Sequence, residues 1–369
     1  MRQNSYGTTG QKISAIGFGG MRFSTPRDLQ RSAELVLYAH DKGINYFDTA
    51  PGYCNDLSEE IMGAALSQLP RDSYAVASKC SRHSADELRQ SLEQSLRRLR
   101  VESIDFFHIW CLMNPADWQK RLQGGAVEAA LRAREEGLIR HLVCSSHMPG
   151  EEISVVLEEN IFAGVLLGYN VLNFPYRSAA VELAGAKGLG VAAMNPLGGG
   201  LIPQNAERFA FLAEDTEDAE GGVVEAALRF NASHPHITTT LVGFSSRREI
   251  DQACAALERF TPDSPQRLAR LKQQIEASFN GLCTGCGYCL PCPAALPIPR
   301  FLDACNRLLL QRGKRRAALD RLTLHWHLSA EQAADCTGCG LCEERCTQQL
   351  PIRQRLAELQ ALGREPSAP

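Results

Sequence analysis

Eight short apolar runs, each ending in a polar or glycine-rich loop and followed by an amphipathic stretch, fill the first 260 residues. No other feature restricts the fold as much. The runs are ISAIGFG (13–19), INYFDTA (44–50), YAVASK (74–79), IDFFHIW (104–110), IRHLVCS (139–145), AGVLLGY (163–169), GVAAMNP (190–196) and TTTLVG (238–243). Between them lie helical patterns such as RSAELVLYAHDKG (31–43), SEEIMGAALSQL (58–69) and ADELRQSLEQSLRRLR (85–100). The last sets Leu88, Leu92, Leu96 and Leu99 on one stripe, and Ser84 with Glu87 fits a capping box. Eight strands that alternate with helices predict an α/β protein built as a closed (β/α)8 TIM barrel. An open dinucleotide fold lacks its fingerprint, because GFGG at 17–20 is not GxGxxG and opens no helix.

The rhythm stops near residue 262. Residues 1–262 are therefore expected to form the barrel, and 263–369 a second, small and mainly helical domain. At 369 residues and 44% apolar content, the chain has material for both cores. A net charge of -3 gives no support to a polyanion-binding protein. The basic run RGKRRAALDR (312–321) has no interleaved aromatics and reads as a solvated helix face, so no nucleic-acid partner is expected. No apolar run reaches the length of a membrane span, and MRQNSYGTTGQKIS lacks the apolar core of a signal peptide. The expectation is a cytoplasmic protein without a membrane partner.

Cysteine usage agrees with a reducing compartment. Eight of the fourteen cysteines fall in two tight runs, Cys283, Cys286, Cys289 and Cys292, then Cys336, Cys339, Cys342 and Cys346. The second follows the C-x2-C-x2-C-x3-C spacing of a bacterial [4Fe–4S] run, except that Thr347 replaces the proline; the first has a shorter last interval and keeps Pro293. Two such runs predict two 4Fe–4S clusters in a ferredoxin-like domain with helical flanks. In such pairs the fourth cysteine of each run serves the other cluster, which would group Cys283, Cys286, Cys289 and Cys346 against Cys336, Cys339, Cys342 and Cys292. Structural zinc is the alternative, although zinc sites take their thiolates as separated pairs. Clusters also leave room for a redox protein partner.

Barrel active sites lie at the C-terminal ends of the strands. Asp48 stands near the end of the second run, Tyr53 in the loop after it, and Lys79 at the end of the third. A phenol, with an ordinary pKa of about 10, is a weak acid at neutral pH. An ammonium beside it favours its ionised form, and a carboxylate holds the ammonium in place. Singly these are a cap, a loop aromatic and a strand-end charge; together they suit proton delivery to a carbonyl oxygen.

With these motifs on one chain, the sequence resembles the aldo/keto reductases, in the branch with a C-terminal ferredoxin-like domain. INYFDTAPGYCNDLSEEIMGAAL, ASKC, LEQSLRRLRVESIDFFHIW, EEGLIRHLVCSSH, LLGYNVLN, VAAMNPLGGG, ITTTLVGFSSRREI and CTGCGYCLPCP carry the likeness, over about residues 10 to 350. It implies Asp48, Tyr53 and Lys79 as catalytic residues. The family's histidine falls on Trp110 here, and His108, two positions earlier on the same strand face, is the remaining histidine candidate. The resemblance also implies NADP or NAD. Ser145, Ser146 and His147 would lie by the nicotinamide amide and Tyr169 and Asn170 by its ring, while Leu166 stands where a glutamine is common. Met194, Pro196, Leu197, Gly198 and Gly199 would line the pyrophosphate. Gly243, Ser245 and Arg247 would meet the adenosine phosphate, where Glu249 takes the place of an arginine. The implied activity interconverts a small-molecule carbonyl and its alcohol by hydride transfer, with the clusters coupled to it or stabilising the chain. A non-catalytic electron-transfer or interaction protein on a degenerate barrel is the alternative. The oligomeric state is not legible.

Overall fold

The structure, a computed structural model, describes residues 1–148, 150–214, 222–258, 261–278, 281–311 and 314–364. It divides into two compact units: Met1–Leu197 with Leu212–Ser264, and Gly198–Phe211 with Pro265–Pro369.

The first unit opens with an antiparallel hairpin, β1 (Gln3–Ser5) and β2 (Lys12–Ser14). Eight parallel strands follow and close into a barrel: β3 (Ile16–Gly19), β4 (Tyr46–Asp48), β5 (Ala75–Cys80), β6 (Ile104–Leu112), β7 (Ile139–Ser146), β8 (Gly164–Gly168), β9 (Gly190–Met194) and β10 (Thr239–Val242). The run at 13–19 is thus two strands, not one. Its first half pairs back on β1, and only the second enters the barrel. Helices α1 (Leu29–Asp41), α2 (Ser58–Leu66), α3 (Ala85–Leu99), α4 (Pro115–Gln123), α5 (Ala126–Glu135), α6 (Ser154–Leu157), α7 (Phe174–Ala186), α9 (Gly222–Ser233) and α10 (Arg247–Ala255) connect the strands. Ser84 caps α3, its hydroxyl accepting from the Glu87 amide at 3.3 Å. On that helix the buried stripe is Leu88, Leu92, Ser95 and Leu99, so Leu96 sits one position off it.

Side-chain alternation sorts the barrel interior into layers. Tyr6 and Ile13 from the hairpin pack with Tyr46, Ala75, Ala77, Phe106, Val143, Leu166, Ala192 and Leu241. The Tyr6 ring needs the bare backbone of Gly190, where a methyl group would lie 2.1 Å from it. Two residues further along the strands, the same inward parity brings up Asp48, Lys79, His108 and Ser145. An apolar layer therefore lies beneath a polar one.

The second unit contains α8 (Leu201–Gln204), α11 (Pro265–Ser278), α12 (Ile298–Leu310), α13 (Arg315–Asp320), α14 (Leu341–Glu344) and α15 (Ile352–Arg364). Its core joins Phe301 and Leu302 of α12, Ile352, Leu356 and Leu359 of α15, and three cysteines, Cys289, Cys305 and Cys342. Among the described residues, no helix is long and apolar enough to cross a membrane.

Candidate functional site

Lys79 is wholly buried in the barrel. Its Nζ donates to Asp48 Oδ1 at 2.5 Å and to the Thr49 carbonyl at 2.7 Å. Burial pulls the ammonium below its usual range, and Asp48 and then Glu59 pull it back. Burial likewise pushes Asp48 up, against the pull of Lys79. Both shifts arise from the cost of separated charge in a dry interior, and the short contact is what holds the ammonium there. The Tyr53 ring faces the ammonium of this pair, its centroid 5.2 Å from Lys79 Nζ.

The loop that carries Tyr53 is held on its far side. Cys54, Asn55 and Asp56 have φ of 53°, 57° and 70°, three successive left-handed residues without a glycine. Each such residue costs about 1–2 kcal/mol. Asp56 offsets part of this by accepting from the Gly52 amide at 2.8 Å and from Arg98 of α3 at 2.9 and 2.6 Å. Arg98 also reaches the buried Glu59, whose carboxylate accepts from Ser78, the neighbour of Lys79. The sequence reading missed Asp56, Glu59, Ser78 and Arg98. Nothing in the sequence marks them, since Glu59 stands beside a second carboxylate, Glu60, in the first turn of α2.

Trp110 takes up the space beside the phenol, edge-on to Tyr53, with centroids 5.7 Å apart at 85°. His108 points into the barrel one layer deeper. Its Nε2 is 3.8 Å from Asp48 Oδ2, beyond hydrogen-bond range, and burial, then Lys79, drives it well below the usual histidine range. It is a neutral ring behind Asp48.

The residues expected to hold the dinucleotide separate into groups. Ser145 is buried, and its Oγ has no hydrogen-bond partner among the described residues. A buried orphan hydroxyl at the C-terminal end of a barrel strand suits a ligand amide. Ser146 instead serves its own loop, donating to the Leu112 carbonyl at 3.3 Å and accepting from the Met148 amide at 3.1 Å. The His147 carbonyl accepts from the buried Arg177 at 2.7 Å. Asn170 is likewise engaged, donating to the Asn195 carbonyl and accepting from the Leu172 and Asn173 amides.

Tyr169 departs from expectation. Its strand parity turns the ring out of the barrel, where it stacks on Phe230 at 5.8 Å and meets the edge of His234. That ring face is taken by protein. Met194 packs on the interior cluster, and Pro196 and Leu197 follow β9. Gly198 and Gly199 belong to the second unit, where a methyl group at Gly199 would lie 2.2 Å from the Thr284 carbonyl. Gly243 leaves room for Arg22 across its backbone. The amide and hydroxyl of Ser245 both donate to Glu249, at 2.7 and 2.8 Å. The Arg247 guanidinium lies over the Tyr38 ring of α1, 4.9 Å from its centroid.

The cysteine runs of the second unit are near repeats, CTGCGYC and CTGCGLC, and they fold alike. The second glycine of each is left-handed, Gly287 at 82° and Gly340 at 80°, which frees the loop to wrap around a centre. Cys292, Cys336, Cys339 and Cys342 line one cavity, with Cys289, Pro293 and Leu341. Cys283 has Cys286, Cys346 and Cys289 as its thiol neighbours. Burial first, then these neighbours, pushes it up to about 12. The Gly285 amide donates to Cys283 Sγ at 3.4 Å and the Leu350 amide to Cys346 Sγ at 3.3 Å. Asn306, buried among the apolar residues of α12, clamps the Cys283 backbone through 2.9 and 2.7 Å hydrogen bonds. Among the described residues, no three His, Cys, Asp or Glu side chains gather tightly enough to hold a single ion. Thiols spread around a cavity, with amides aimed at the sulfurs, fit a bulky sulfide cluster.

Comparison with known proteins adds to this geometry. Residues 15–274 match the model of the aldo/keto reductase family, and residues 282–351 that of a 4Fe-4S dicluster domain. The chain is similar to L-galactose dehydrogenase of Arabidopsis thaliana, 28% identical over 68% of this chain and 86% of that one. It is also similar to the NADH-specific methylglyoxal reductase of Escherichia coli (strain K12), 27% identical over 55% and 69% of the two chains. Among solved structures, an aldo-keto reductase from Bacillus halodurans in its holo form superposes with a TM-score of 0.64. The two are 23% identical, over 74% of this chain and 96% of that one. An aldo/keto reductase from Klebsiella pneumoniae, solved with NADP and acetate, gives 0.63 at 21% identity, over the same shares. At those identities the structural likeness concerns the fold.

Proposed function

From the premise that the chain belongs to the aldo/keto reductase family, we propose that its NAD(P)-dependent oxidoreductase chemistry interconverts a small carbonyl compound and its alcohol, with Tyr53 as general acid and base. The single observation that carries this reading is the phenol ring facing the ammonium of the buried Lys79–Asp48 pair at the C-terminal end of the strands. When bound, the nicotinamide gives or takes the hydride. Tyr53 delivers a proton to the carbonyl oxygen as hydride reaches the carbon, and takes it back in the reverse direction. Lys79 stabilises the negative charge left on the phenol oxygen, and Asp48 fixes Lys79. Ser145 Oγ binds the carboxamide. Trp110 fixes the plane of the Tyr53 ring and walls the pocket where a histidine would otherwise meet the substrate. His108 packs behind Asp48 as a neutral ring and is a positioning residue. Family membership favours this over a barrel without catalysis, and L-galactose dehydrogenase among the relatives makes small aldoses the first substrates to try.

In the second unit, Cys283, Cys286, Cys289 and Cys346 hold one 4Fe–4S cluster, and Cys292, Cys336, Cys339 and Cys342 the other. The thiol neighbours of Cys283 support the first set, and the cavity shared by Cys292, Cys336, Cys339 and Cys342, which Cys289 also lines, supports the second. Such clusters carry single electrons, and a redox protein is their natural partner.

Anaerobically purified protein tests both readings. Tyr53→Phe should lower carbonyl turnover by about 10²–10⁴-fold while leaving dinucleotide binding intact. Unchanged turnover would remove Tyr53 from the chemistry. About eight iron and eight acid-labile sulfide per chain are expected for two cubes; zinc without sulfide would exclude them.

A further inference from the structure

Thr347 stands where the ferredoxin spacing has proline, directly after the last ligand of the second run. It is buried, only 3% exposed, and its Oγ1 is 3.5 Å from Cys286 Sγ. Gln348 Nε2 donates to the same oxygen at 3.2 Å. A ligating thiolate has no hydrogen to give, so the hydroxyl must be the donor. The related position after the first run is Pro293, which lines the cavity with Cys339 and has no donor to offer. The two sites are therefore unequal at one defined contact.

We propose that Thr347 sets the reduction potential of the cluster held by Cys283, Cys286, Cys289 and Cys346, by donating its hydroxyl hydrogen to the Cys286 sulfur. This rests on the cluster assignment above. Reduction adds one electron to the cluster and deepens the negative charge on its sulfurs. A fixed donor in a dry surrounding stabilises the reduced form more than the oxidised one, which raises the potential. Thr347 touches no substrate, so its effect is read at the cluster.

The test is a redox titration of full-length, anaerobically prepared protein, followed by electron paramagnetic resonance, after iron and sulfide have been counted. Thr347→Val should move one of two couples to lower potential and leave the other in place. Thr347→Ser, which keeps the hydroxyl, should retain the wild-type pair of values. Two unmoved couples, two couples shifted together, or a Ser variant that behaves like Val would each overturn the proposal. Protein with zinc or without sulfide would overturn the cluster assignment itself, and the proposal with it. Clusters present with unchanged potentials would remove only the role of Thr347.

Discussion

Tyr53 and Lys79 were legible as residues because their chemistry is unusual at two neighbouring strand ends, and the structure brings ring and ammonium together. The face that Tyr169 takes is not legible, because a run such as AGVLLGY shows an aromatic at its end but not which side it occupies. Inward Leu166 fixes that parity, and the ring goes outward to Phe230. Buried histidines give the residue scale its pH dependence. Burial, then Arg177, lowers His147 to about 3, and burial, then Lys79, drives His108 well below its usual range. Both stay neutral in the fold, whereas in the unfolded chain they take up protons below about pH 6.5. For His147 the unfolded state thus binds more protons between about 6.5 and 3, so its contribution to stability is whole above that window and is lost as pH falls through it, at about 1.4 kcal/mol per pH unit. His108 acts in the same direction below about pH 6.5. Urea unfolding of the barrel, followed by tryptophan fluorescence from pH 7 to 5, should show the decline. His147→Gln should make its slope shallower by about one proton.

Periodicity located the strands and helices well wherever burial is one-sided, as in α3, whose stripe appears with its cap. It could not separate β2 from β3, since both are apolar and only pairing partners distinguish a hairpin from a barrel strand. Nor does periodicity reveal how closely two elements approach. Gly63 of α2 lies against the C-terminal turn of α3, where a methyl group would sit 2.1 Å from the Arg98 carbonyl oxygen and 3.0 Å from Leu99 Cα. Helix propensity alone would make Gly63→Ala stabilising by about 1 kcal/mol. Here the obstacle is backbone, which cannot rotate away, and overpacking of this kind costs about 1–3 kcal/mol or more. The clash wins. Because the displaced turn carries Arg98, and Arg98 holds Asp56 in the left-handed loop beside Tyr53, the substitution should lower turnover as well as the melting temperature. Thermal unfolding and kcat measured on the same preparation check this. Lower stability with unchanged kcat would break the proposed link from α3 to the catalytic loop.

At the scale of the molecule, each unit has its own apolar cluster, and the chain visits the second unit twice. The first visit, Gly198–Phe211, was not legible. VAAMNPLGGG reads as a strand end and its loop, and nothing in those letters shows that Gly199 presses its bare backbone on Thr284. That contact places 198–211 within the reach of the first cysteine run. The second unit is also small, and cysteines form part of its core, with Cys289 and Cys342 inside and Cys283, Cys292, Cys336 and Cys346 packed against it. Removing the clusters proposed above would leave these thiols without a shared centre, and the amides at Gly285 and Leu350 would lose the charged sulfur acceptors that the proposal gives them. Small units that depend on a metal centre lose much of their folding free energy with it. The barrel, whose interior is filled by its own side chains, has no such dependence. Stripping iron anaerobically with a strong chelator should therefore raise amide hydrogen exchange in 283–289, 336–350 and 201–211, and leave β4 through β8 protected. If exchange rose equally in the barrel strands, the two units would not be independent in stability; if 201–211 stayed protected, its attachment to the cysteine unit through Gly199 would be wrong.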